Sequence, residues 1–131
     1  MFVNRLLGIL LLLFSATAVT NAQEGVWVYL GQSNVDGARD HDNIMVTRSR
    51  GAFRAIQIKV EKSAIEFDHV IVHFGNGSSD PIQIRSVIPA GQQTRVIDLP
   101  GQRRFIRSVE FYYARANFNG IKPKVRLFGL R

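Results

Sequence analysis

The stretch "FRAIQIKVEKSAIEFDHVIVHF", residues 53–74, decides the fold. Ile56, Ile58 and Val60 recur at every second position with Gln57 and Lys59 between them, and Val70, Val72 and Phe74 repeat the period. Side chains two apart share one face of a strand, so each run has a face to bury and a face to leave in water. The 3.6-residue period of an amphipathic helix does not declare itself anywhere after residue 22.

The same alternation extends outward in both directions. Strands are expected at 26–30, 43–48, 53–62, 69–74, 82–87, 94–99, 104–113 and 124–130, with Ile82, Ile84, Val125 and Leu127 adding to the core. In "RFIRSVEFYY" (104–113) the phase slips, because Ile106 stands three residues before Val109. One extra residue near Arg107 and Ser108, a β-bulge, would return Ile106 to the face of Val109, Phe111 and Tyr113. Asn76-Gly77, "IPAGQQ", "LPGQR" and "NFNG" supply turn residues between the runs. The expectation is all-β: an antiparallel β-sandwich of jelly-roll-like character with about eight short strands.

Before this domain, Arg5 precedes the apolar run Leu6 to Val19, and small residues ending in "TNA" precede Gln23. That three-part layout reads as a secretory signal peptide over 1–22, leaving a single domain at 23–131 that is secreted or periplasmic. The run is shorter than the ~20 residues a membrane-spanning helix needs, and no transmembrane segment is expected in the mature chain. The sequence contains no cysteine, so neither a disulfide nor a cysteine-linked lipid anchor is available.

Charge is unevenly spread. Residues 85–131 hold 10 basic and 2 acidic side chains (net +8), whereas 23–84 hold 6 basic and 8 acidic (net −2). Arg103, Arg104 and Arg107 cluster where the seventh strand begins, and Lys122, Lys124 and Arg126 run into the last. If those strands are neighbours, the six form one cationic field. Guanidinium forks pair with phosphate, sulfate or carboxylate, so an anionic polysaccharide, a lipid head group or a cell-wall polymer is the expected partner. Trp27, Tyr112 and Phe118 offer stacking surfaces for sugar rings. Export argues against nucleic acid, and solvated arginines on alternate strand positions are the plain alternative.

Other chemistry is weaker. "GQSN" (31–34) looks like the first block of SGNH-type esterases, with Ser33 as nucleophile, but no histidine follows His73 and no base is arranged for the hydroxyl. A polar turn leaving the first strand is expected there, and no catalytic residue. Asp36, Asp40, Asp42 and Asn43 form an oxygen-rich loop that would suit calcium in a carbohydrate-binding domain, although the EF-hand order is absent. His69 and His73 are four apart, which on a strand separates their Cα atoms by ~13 Å, too far to share an ion. Glu61, Glu66 and Asp68 read as solvated charges flanking a turn. No cofactor is expected.

"FRAIQIKVEKSAIEFDHVIVHFGNG", "IPAGQQTRVIDLPGQRRFIRSVEFYY" and the closing "KVRLFG" together resemble small exported bacterial proteins of the YaaI type. The resemblance implies a periplasmic or secreted β-sandwich and lends no catalytic residue. The expected role is a non-enzymatic binding module.

Overall fold

The computed structural model describes residues 25–36, 41–116 and 120–131. The expected signal peptide, Asp40 of the oxygen-rich loop and Phe118 lie outside the described residues. Nine strands follow in order: β1 (Trp27–Asn34), β2 (His41–Met45), β3 (Ala52–Phe53), β4 (Ala55–Glu61), β5 (Ile65–Phe74), β6 (Ser79–Ile88), β7 (Ile97–Asp98), β8 (Arg104–Ala116) and β9 (Lys124–Leu130). A 3₁₀ turn, Arg48–Arg50, follows β2.

The strands form two antiparallel sheets. The first has the order β1-β9-β4-β7; the second has β2-β8-β5-β6, with β3 also paired to β8. The inner faces meet in one core, where Ile56, Ile58, Val60, Val70, Val72, Phe74, Ile84, Val125 and Leu127 are all buried and Ile82 packs partly against them. These are the alternate positions that the sequence marks as apolar.

The expected bulge is present. His73 pairs with Ser108 and Phe74 with Ile106, so Arg107 is the extra residue on β8, and Ile106, Val109, Phe111 and Tyr113 all face inward. The Asn76-Gly77 hairpin also forms: Gly77 adopts φ +90°, and the Asn76 side-chain oxygen accepts from the Ser78 amide at 3.0 Å.

Four expectations need correction. The single strand at 53–62 is two, because the chain bends at Arg54 and passes from β3 in one sheet to β4 in the other. "GQSN" is not a turn: β1 continues to Asn34 across a bulge between Tyr29 and Gly31, and Ser33 pairs with Val125 of β9. The strand at 94–99 shrinks to Ile97–Asp98, while Gln93 makes only an isolated bridge to Lys59. Finally, Glu66 and Asp68 do not flank a turn but sit within β5, which starts at Ile65.

Edges are blunted in ways that the residues explain. β6 borders its sheet and carries Pro81, which has no amide hydrogen to offer a neighbour, and β7 is only two residues long.

Candidate functional site

Five guanidinium groups gather at the end of the sandwich where β2, β5 and β9 finish and β4 and β8 begin, with a sixth, Arg107, beside them on β8. Register fixes this convergence: Ala55 pairs with both Leu130 and Asp98, Phe53 pairs with Arg104, and the Gly75 amide donates to the Phe105 carbonyl at 2.8 Å. Arg48 reaches the end from the 3₁₀ turn, Arg54 from the bend between sheets, Arg103 and Arg104 from the entry to β8, and Arg131 from the exit of β9.

Phenylalanines seat three of them. The Arg104 guanidinium lies 3.9 Å from the Phe74 ring centroid, Arg48 lies 4.6 Å from Phe105, and Arg131 lies 6.0 Å from Phe53. A cation over an aromatic face is attracted by the ring quadrupole, which orients the fork without neutralising it. Arg104 also donates to the Pro100 carbonyl at 3.0 Å and to Ser78 Oγ at 3.1 Å. Two donors are thereby used, and three of its five N–H groups remain.

Three hollows run along this end. One of about 210 Å³ is lined by Arg48, Arg103 and Arg104 with Phe74, Gly75, Asn76 and Phe105. A neighbour of about 380 Å³ shares Arg103 and adds Arg54 and Asp98. A third, of about 160 Å³, shares Arg48, Gly75 and Phe105 and adds Arg107. Among the described residues, no carboxylate stands in the walls of the first or the third. The first has room for a tetrahedral oxyanion with part of its water shell.

The six cations singled out in the sequence therefore separate. Arg103, Arg104 and Arg107 belong to the arginine end, on or beside β8. Lys122, Lys124 and Arg126 belong to β9 and its approach, in the other sheet, because β9 pairs with β1 and β4 and never with β8. There Lys122 meets Asp36 at 3.4 Å and Arg126 meets Glu61 at 3.4 Å. In their place come Arg48 and Arg54, from the part of the chain with net negative charge. The sequence signal for them is "RSRGAFR" (48–54), which sets arginines around a buried phenylalanine as "QRRF" (102–105) sets them before an exposed one.

A second cluster occupies the outer face of the β2-β8-β5-β6 sheet. Tyr112 lies between two imidazoles, with ring centroids 4.7 Å from His41 and 4.4 Å from His69 and near-parallel planes. Glu110 accepts from His41 Nε2 at 3.0 Å, from His73 Nε2, and from the Tyr112 hydroxyl at 3.2 Å. The His73 hydrogen bond is the main cause holding the Glu110 carboxyl below its ordinary range; partial burial opposes it, and His41 and Tyr112 add to the lowering. Burial, then the Glu110 charge, pushes the Tyr112 phenol up. His69 donates instead to Asp68 at 2.7 Å, so the two β5 histidines serve different carboxylates. Among the described residues no group of three or more His, Cys, Asp or Glu is arranged to hold a metal ion.

Of the oxygen-rich loop, Asp42 accepts from the Tyr113 hydroxyl at 3.2 Å, the Asn43 amide nitrogen reaches Met45 Sδ at 3.3 Å, and Asp36 holds Lys122. Among the described residues no helix is long and apolar enough to cross a membrane.

Comparison with known proteins agrees with the architecture. AlgX of Pseudomonas aeruginosa superposes with a TM-score of 0.52 at 11% identity, covering 78% of this chain and 26% of that one, a likeness of fold alone. The SPBc2 prophage-derived protein YomS (TM-score 0.42, 12% identity, 81% of this chain and 96% of that one) is a weaker match. So is a mutant form of a family 29 carbohydrate binding module (TM-score 0.34, 12% identity, 80% and 89%). No curated protein matches the sequence. The model of the domain of unknown function DUF2541 matches residues 6–129, nearly the whole length, and the chain belongs to that family.

Proposed function

We propose that this domain is an exported, non-enzymatic binding module that holds an anionic component of its surroundings at the arginine end. Its site is Arg103, Arg104 and Arg107 joined by Arg48 and Arg54. The ligand class is a polymer or head group bearing phosphate, sulfate or carboxylate: an anionic polysaccharide, a lipid head group or a cell-wall polymer. The observation that carries this reading is the 210 Å³ hollow, where Arg48, Arg103 and Arg104 meet without a carboxylate among the described residues of the wall. Three positive charges line one concavity with no carboxylate among the described residues of its wall, and a bound anion would balance them.

The test is elution from heparin resin as salt rises. Contacts between guanidinium and anion release counterions, so retention should fall with salt, and replacing Arg48, Arg103 and Arg104 together by alanine should bring elution to markedly lower salt. Changing Lys122 and Lys124 to alanine removes two charges from the opposite end of the sandwich and should cost less. Equal losses per charge removed from the two sets would mean that net charge, and not this hollow, governs binding, and the reading would fail.

A further inference from the structure

The sheet made of β1, β9, β4 and β7 turns an unusual outer face to solvent. Register lays it out in cross-strand rows: Tyr29, Phe128 and Gln57 stand side by side, and Gln32, Arg126 and Lys59 form the next row. Trp27 lies one alternate position before Tyr29, and both are 40% exposed. The Tyr29 and Phe128 rings are 5.7 Å apart and tilted. Trp27, Phe128, Gln57, Lys59 and Gln93 enclose a shallow groove of about 330 Å³.

Single exposed apolar residues are ordinary on a protein surface; three adjacent aromatics on one wet sheet face are not. The polar groups beside them are amides and cations. Gln57 donates its amide to the Thr94 carbonyl at 2.8 Å, which fixes the side chain and leaves its oxygen to accept from a ligand. Gln93 is held opposite by its bridge to Lys59. Lys59 brings an ammonium group, Arg126 next to it across the strand pair is met by Glu61 at 3.4 Å, and among the described residues no carboxylate lines the groove itself.

Flat rings, amides and an ammonium group within one groove match a pyranose chain. The C–H face of a sugar packs on an aromatic ring, its hydroxyls pair with amides, and a cation selects sugars that carry a carboxylate. From this we infer that the outer face of the β1-β9-β4-β7 sheet is a binding site for an acidic polysaccharide chain, with sugar rings on Trp27 and Phe128 and a carboxylate at Lys59. Charge complementarity chooses this occupant over a neutral glycan. The inference is independent of the arginine end, none of whose arginines lines this groove.

Trp27 is the one tryptophan in the sequence, so its fluorescence reports on the groove directly. Titration of the purified protein with hexagalacturonate should give a saturable change in emission, with cellohexaose binding about tenfold or more weakly, a loss of ~1.4 kcal/mol. Phe128→Ala and Lys59→Ala should each weaken hexagalacturonate by about tenfold with little change in Tm, measured by calorimetry for every variant. Arg85→Ala, which removes one exposed cation from β6 in the other sheet, should leave that affinity within about twofold. The inference is overturned if neither hexamer changes the emission, or if Lys59→Ala and Arg85→Ala lose affinity equally. It is also overturned if the emission depends on protein concentration alone, which would assign the face to a second copy of the chain.

Discussion

Replacing Gly129 with alanine should destabilise the domain, and the sign of the effect tests the packing between the sheets. Gly129 lies in β9, the strand paired on both sides within its sheet, opposite Val28 and Ile56. A methyl group there would come within 2.7 Å and 2.9 Å of two carbons of the Phe53 ring and 2.9 Å of Leu30 Cδ1. Carbon atoms pack best at about 3.5–4.0 Å, so the neighbours must yield by ~0.6 Å or more. Phe53 has no exposed surface and Leu30 only 3%, which leaves them little space to move into. Overpacking of this kind costs about 1–3 kcal/mol. With an unfolding entropy of ~2.1 cal/mol/K per residue, that is a fall in Tm of about 4–13 °C for a domain of this size. Were the site open, the change would act oppositely, because alanine is favoured over glycine in a strand by about 0.5–1 kcal/mol. Thermal unfolding followed by circular dichroism separates the cases. An unchanged or raised Tm would refute the close approach of β9 to Phe53, whereas Gly129→Ala combined with Phe53→Leu should recover part of the loss by returning volume.

Three further outcomes are expected. Glu110→Gln removes a carboxylate whose titration is depressed in the folded state, so the charged form stabilises the fold above the unfolded value of about 4.3 and that contribution fades as pH falls through the lower folded value. The Tm difference between wild type and variant should therefore be largest near neutral pH and shrink as pH falls below the unfolded value; a pH-independent difference would refute the hydrogen-bonded carboxylate. Phe74→Ala should destabilise by about 3–5 kcal/mol, as for a large ring removed from a core, and also release the Arg104 fork above it; heparin elution of the folded fraction at about 10 °C should move to lower salt, and unaltered elution would mean that the ring does not organise the site. Ser33→Ala should leave the rate of acetyl-ester hydrolysis at the background of the wild type, and a rate lost in the variant would restore the esterase reading.

The face of each strand was legible in the sequence, because burial follows a two-residue period that any single strand displays. Arg107 illustrates the reach of that logic: a three-residue interval between Ile106 and Val109 was enough to place a bulge. The interval from Phe53 to Ile56 is also three, yet there it marks a passage between sheets. Both are one-residue slips of phase, and only pairing tells them apart. β1 escaped recognition beyond Leu30 because Gly31 makes an irregular step and Gln32 and Asn34 face water. The candidate site was half legible for the same reason. Alternation gives the facing of Arg103, Arg104 and Arg107 but no strand's partner, so Arg48 and Arg54 could not be brought to them, nor Lys124 and Arg126 separated. The Glu110 cluster needs β2, β5 and β8 in register, which no local pattern encodes.

The order of strands in the two sheets has a consequence for how the chain is made. Among the described residues β1 has no sheet neighbour except β9, and β2 none except β8, so the first two strands must wait for the last two. Until residues 104–130 emerge, the β5-β6 hairpin and the short β4-β7 pairing are the ladders that can form. A chain of such distant pairings folds slowly, on the millisecond-to-second scale. An incomplete copy presents its apolar strand faces to whatever receives it, which makes synthesis of the C-terminal quarter the step that commits the molecule to its native form.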